Sequence, residues 1–297
     1  MLSDYTLNTG LIHPGIFMKK TFDLSVTTQG PTYPPSEVMD KDGNFIVIGR
    51  VNRETANGVS TNWGQAIVTP DSPVPTFGDQ LPYEIVRELD LNTGSADLNK
   101  VLYTLPLPLP ANNYPIVFAP EQLPNPEDLV TRSCAFHEAT PPDFRIEDGL
   151  REMQPVLLGD WIKARGQVTI SLTNNGKSAR FDVECENLIP DSLYTIMSLR
   201  ETDLDPIRGP TRPGPLGIPN VLITDKNGSG HLWAELPDPF PEKESPNSNR
   251  VINIILLWMS TRMSNGGALG RHGLGGDVHA QLKMQVPSFY EFTTKGL

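Results

Sequence analysis

The sequence predicts an all-β chain: two β-sandwich or Greek-key barrel domains joined by a proline-rich segment. Three observations carry this expectation. Short runs of alternating apolar and polar residues recur between turn signals along most of the 297 residues. The 29 prolines and 25 glycines leave little room for long helices. Hydrophobic residues at 38% and charged residues at 20% form a globular mixture, rich enough in apolar side chains to bury a core.

In the first half, alternation marks strands at 22–27, 45–52, 64–69, 83–91, 100–105 and 116–118. The second half adds 166–172, 179–185, 192–199, 220–224, 231–236, 251–259 and 278–285. Such spacing suits a sandwich or barrel. Two turns resemble each other, Asp40-Lys41-Asp42-Gly43-Asn44 and Asp225-Lys226-Asn227-Gly228-Ser229, and a third is Asn174-Asn175-Gly176. Each lies between apolar runs, and Asn or Asp followed by Gly supplies the positive φ of a tight turn, so all three are read as hairpins.

Between the halves, 106–155 carries repeated prolines, including the Leu105-Pro106-Leu107-Pro108-Leu109-Pro110 run, and favours an extended connection over a sheet interior. The domain boundary is placed near residue 150, giving an N-terminal β domain over 1–150 and a C-terminal sandwich over 151–297. The one helical candidate, 147–165, contains Pro155 and is expected to form only short turns. Long loops at 205–219 and 237–249 suit interface or functional roles.

The second half resembles copper-zinc superoxide dismutase and other small Greek-key sandwiches over Gly214-Pro215-Leu216-Gly217, Asn220-Val221 and Asp225-Lys226-Asn227-Gly228. The resemblance implies a Greek-key sandwich for this half. The paired strand histidines that hold the metal in that family have no counterpart here. None of its catalytic residues is therefore carried over, and a shared fold does not imply a shared function.

Charge narrows the partners. A formal net charge of −11 without any Lys/Arg cluster argues against nucleic acid and against an anionic membrane surface. The longest apolar run, 251–259, is interrupted by Asn253 and falls short of the roughly 20 residues needed to span a bilayer. The first residues show neither a basic nor an apolar signal-peptide region, so the expected address is the cytoplasm or an assembly built there. Cys134 and Cys185 have no local motif and are read as buried thiols, with a disulfide as the alternative.

The stretch 266–282, rich in glycine and holding His272 and His279, is the one segment built for something other than packing. With His231 at the start of another strand, His272 and His279 form a candidate copper or zinc set, and Asp277 is a fourth ligand or a supporting partner. No pair has the spacing of a metal motif. Asp225, Asn227 and Ser229 imitate the start of a calcium loop, but Leu236 stands where a bidentate Glu is required, leaving at most a weak, partly hydrated calcium site. No nucleophile elbow or phosphate loop is present, and Cys134 beside His137 and Glu138 does not form a catalytic pair by sequence.

The favoured expectation is a non-enzymatic structural or interaction protein, without a resident cofactor. It would self-associate, or bind another protein, through the apolar arm of residues 1–20, the aromatic tail 288–294 and the long loops. A copper- or zinc-binding protein using His231, His272, His279 and Asp277 is the rival. A small-molecule or glycan binding module, with Trp63, Trp233 or Trp258 lining a cleft, is the third reading.

Overall fold

The computed structural model describes residues 18–30, 35–73, 75, 79–105, 133–138, 154–204, 213–242, 248–260, 262, 264, 278–286 and 289–292. Twelve strands lie among them: β1 (Lys19–Val26), β2 (Phe45–Thr55), β3 (Gly58–Val68), β4 (Ile85–Glu88), β5 (Arg165–Thr173), β6 (Ser178–Glu186), β7 (Leu193–Arg200), β8 (Gly214–Pro215), β9 (Val221–Ile223), β10 (Gly230–Pro237), β11 (Val251–Met259) and β12 (Val278–Lys283). Every pairing is antiparallel. The chain is all-β, with one curled nine-stranded sheet and a separate sheet of three strands. The large sheet runs β10-β6-β5-β1-β12-β11-β7-β8, with β9 also beside β7; the small one runs β2-β3-β4.

Alternation explains the half-buried strands. In β10, Ala234 and Leu236 are buried while His231, Trp233 and Glu235 point outward. All nine residues of β11 are buried, which is why it reads as a continuous apolar run. Its Ile254, Leu256 and Trp258 enter the main core; Ile252, Ile255 and Leu257 enter a second cluster with Met197, Leu199 and Ala280. Asn253 sits where the β11–β7 register slips, and its amide replaces ladder bonds: Oδ1 accepts from Ile254 and Met284 N–H, and Nδ2 donates to Met284 O. The interruption noted in the sequence is thus a satisfied polar group.

The turns show what local sequence encodes. Asp40 and Asp225 make the same five-residue turn: each Oδ1 accepts two backbone N–H groups, from Asp42 and Asn44 and from Asn227 and Ser229, at 2.8–3.0 Å. Both Gly43 and Gly228 have positive φ. Asn174-Asn175-Gly176 joins the paired strands β5 and β6 as expected, with positive φ at all three residues. The hairpin expected at Asp225 is corrected, however: β9 pairs with β7 and β10 pairs with β6, so this turn carries the chain from one flank of the large sheet to the other. Segment 100–105 makes only isolated bridges at Val101 and Tyr103, and strand 116–118 lies outside the described residues. Of the helical candidate, one turn is observed, α1 (Leu158–Trp161).

Pairing crosses the middle of the chain. β1 is hydrogen-bonded between β5 and β12, and one core cluster unites Ile46, Ile48 and Ile67 of the small sheet with Trp161, Val168, Ile254 and Trp258. The boundary placed near residue 150 lies outside the described residues. Buried polar groups bind this core: Ile189 N–H donates to Tyr194 Oη, Tyr194 donates to Gln281 Oε1, Gln281 Nε2 donates to Trp161 O, and Trp161 Nε1 donates to Thr27 O, at 2.7–3.1 Å. Satisfied networks of this kind fix one arrangement of neighbouring elements.

Candidate functional site

Of the four residues expected to bind metal, His272 and Asp277 lie outside the described residues. His279 and His231 are both described, and the structure does not bring them together. His279 is on β12 and His231 on β10, with β1, β5 and β6 between them in the sheet. Among the described residues, no three His, Cys, Asp or Glu side chains are grouped to hold a metal ion.

His279 sits where β1 stops covering β12. Pairing runs through Ser25↔Lys283 and Val26↔Leu282, and Thr27 N–H adds one bond to Gln281 O at 2.8 Å. Beyond that point Glu37 substitutes for the missing strand. Its Oε2 accepts from Ala280 N–H at 2.7 Å, and its backbone O is 3.1 Å from His279 Nδ1. A carbonyl only accepts, so Nδ1 carries the proton, and Nε2 accepts from Ser260 Oγ at 2.9 Å. Both ring nitrogens are therefore occupied, and the ring packs on Phe136 and Trp258 at 4.2 and 5.8 Å.

Burial governs the charges at this junction. It pushes Glu37 up to about 7, against the opposing pull of the Ala280 N–H and the Lys283 charge. It lowers His279 to about 4, with the bond to Glu37 resisting. Lys283 falls to about 8 by the same cause, opposed by Glu37 and reinforced by Arg50, while its Nζ donates to Gln29 O at 2.6 Å and faces the Trp63 ring at 5.7 Å. Gly30 is required here, because a Cβ would stand 1.7 Å from Glu37 Oε1. Sequence reading missed Glu37 and Lys283. No local pattern announces a contact 243 residues away.

His231 has the opposite setting. It is exposed on the outer face of β10, with Nε2 3.8 Å from Asp182 Oδ1. Asp182 holds Arg180 through two bonds of 2.9 and 2.7 Å, and the Arg180 guanidinium lies 4.4 Å over the Trp233 ring. That bond to Arg180 is the main reason the Asp182 carboxyl is held below its ordinary value. The three tryptophans offered for a cleft have three different surroundings: Trp258 is core, Trp63 is partly buried beneath Lys283, and Trp233 is 53% exposed.

Beside β10 lies β9, and the turn at Asp225 joins them. Gly217 packs on Ala234, and Gly230 packs on Leu222 and Thr224, so the flanks of the large sheet meet here in a seam. Ile218 is 80% and Ile223 74% exposed beside it. Cys134 and Cys185 are free thiols, which removes the disulfide alternative; burial pushes Cys185 up to about 12. The turn aspartates are occupied by backbone N–H groups, and Asp40 also meets Lys100 at 3.3 Å. No helix among the described residues is long and apolar enough to cross a membrane. No protein-family model, no curated protein and no solved structure matches the chain.

Proposed function

We propose that the chain is a non-enzymatic structural or interaction protein that self-associates. Exposed apolar side chains on the segments that meet at the β9–β10 seam carry this reading: Ile218, Ile223 and Trp233 are each more than half exposed. Exposed apolar groups clustered on one surface favour a protein partner over bulk water. The apolar arm and most of the aromatic tail named from sequence lie outside the described residues, so the support comes from the seam.

The chemistry at His279 favours the same class. A general base or metal ligand needs a free lone pair facing a reactant. His279 spends both nitrogens on Glu37 and Ser260, inside packed aromatic rings. Light scattering of the full chain across a range of concentrations tests the proposal. Mass rising to a defined oligomer supports it, and a monomer at every concentration overturns it.

A further inference from the structure

We propose that the outer face of β1, β5, β6 and β10 binds a neutral oligosaccharide, with the exposed Trp233 indole as its stacking platform. This goes beyond the self-association reading and stands or falls separately from it.

Alternation places one set of side chains on this face. Phe22, Val168, Phe181 and Ala234 pack in the main core from the four strands, and their neighbours in sequence point the other way. The outward side chains are exposed or half-buried, so the face is open to solvent. Register aligns them in rows: Thr21, Thr169, Asp182 and Trp233 form one, and Asp23, Gln167, Glu184 and His231 form the next. In these rows Trp233 is the only large apolar side chain.

The indole is held in place. The Arg180 guanidinium lies 4.4 Å over its ring and is itself fixed by two bonds to Asp182, of 2.9 and 2.7 Å. With that contact made, Trp233 is still 53% exposed. An aromatic side chain kept in water on a paired strand, and braced from one side, has its ordering cost met before a ligand arrives. A sugar ring offers the matching group, with one face of C–H bonds for the indole and hydroxyls at its rim.

The groups beside the indole suit hydroxyls. Gln167 Nε2 donates to Glu184 Oε2 at 2.8 Å, which fixes both side chains and leaves each a second oxygen to accept from a hydroxyl. Thr21 and Thr169 share a bond of 2.8 Å, and each hydroxyl oxygen has a further lone pair. Neighbouring strands are about 4.8 Å apart, so the row from Trp233 to Thr169 spans about 10 Å, room for two linked sugar rings. Charge disfavours other ligand classes. The two rows hold the carboxylates of Asp23, Asp182 and Glu184 and no Lys or Arg, which opposes an anion. A cation meets Arg180 already seated on the Trp233 ring. A neutral, hydroxyl-rich ligand meets neither obstacle.

The experiment is isothermal titration calorimetry of the full chain with cellotetraose, xylotetraose, chitotetraose and maltotetraose, and with a heparin tetrasaccharide and tetralysine as charged probes. It is repeated on Trp233→Ala, on Gln167→Ala and on Ile223→Ala, the last on β9 outside the four strands. Circular dichroism checks that each variant is folded, the expected result for exposed or half-buried side chains. At least one neutral tetrasaccharide is expected to bind. W233A is expected to weaken that binding by about tenfold or more, as loss of a stacked ring does. Q167A is expected to weaken it by about threefold or more, and I223A to leave it unchanged. Failure of all four neutral sugars, binding of heparin or tetralysine alone, or sugar binding that ignores both W233A and Q167A overturns the proposal. Light scattering of the same samples reads self-association independently, so a monomer that binds sugar overturns only the earlier reading, and an oligomer that binds none overturns only this one.

Discussion

His279 and His231 each stand at the opening of a strand, and their surroundings differ in nearly every physical respect. His279 is enclosed between β12, the segment carrying Glu37, and the Phe136–Trp258 aromatic packing. His231 is exposed on the outer face of β10, beside Trp233 and close to Asp182. The difference lies in what bonds to each strand: β12 is hydrogen-bonded on both sides and completed by a carboxylate, whereas β10 is hydrogen-bonded to β6 and only packed by Gly217 and β9. A strand bonded on both sides spends its polar groups internally, whereas the outward side chains of β10 meet water and their neighbours on β5 and β6.

Truncating the matching tryptophans gives the largest contrast. Trp258→Ala removes a ring packed on Phe136, Trp161 and His279, and is expected to cost about 4 kcal/mol in urea unfolding. Trp233→Ala is expected to cost less than about 1 kcal/mol, since half its surface is already in water. Equal losses would erase the distinction between enclosed and open regions.

The next test is pH. Glu37 moves from 4.5 to about 7 on folding, so the folded state holds a proton that the unfolded state has released. Its contribution to stability is complete below pH 4.5 and is lost as pH rises through 7. His279 moves the other way, from 6.5 to about 4, so its contribution is complete above pH 6.5 and is lost as pH falls through 4. Between pH 4.5 and 6.5 the two slopes oppose each other. Glu37→Gln keeps an acceptor for Ala280 N–H and removes one slope, so the variant is expected to gain on the order of 3 kcal/mol between pH 4 and 6.5. A pH profile parallel to the parent would show that Glu37 does not titrate at this junction.

A smaller contrast comes from two glycines. Gly30→Ala drives a methyl group into the Glu37 carboxylate and is expected to cost about 2–3 kcal/mol. Gly43→Ala has open space around the new methyl but keeps φ at +80, with an expected cost of about 1 kcal/mol. Thermal unfolding of the two variants side by side measures the gap, and a larger loss at Gly43 would contradict the close approach at Gly30.

The strands were legible because alternation is a local property: His231, Trp233 and Glu235 outward against Ala234 and Leu236 inward can be read directly from the order of residues. The Asp40 and Asp225 turns were legible for the same reason, through the Gly at positive φ in each, whereas the carboxylate that caps each one was found in the structure. Pairing partners were not. The same turn chemistry closes on a Met39–Phe45 bridge in one place and changes flanks of the sheet in the other, because a turn sets backbone angles and burial decides which strand comes alongside. The site followed the same division. His231 and His279 were singled out by residue type, but the occupation of His279 depends on Glu37, Ser260 and Phe136, which come from three distant segments.

Hydrogen exchange of β10 and β12 amides at low and at high protein concentration tests the contrast most directly. Covered strands exchange slowly at any concentration, and an edge that gains a partner slows only when the partner is present. The expected result is slow exchange in β12 and in the β10 amides bonded to β6 under both conditions, with further protection along the β9–β10 seam appearing only at high concentration. Exchange along the seam that is identical at both concentrations would contradict the account.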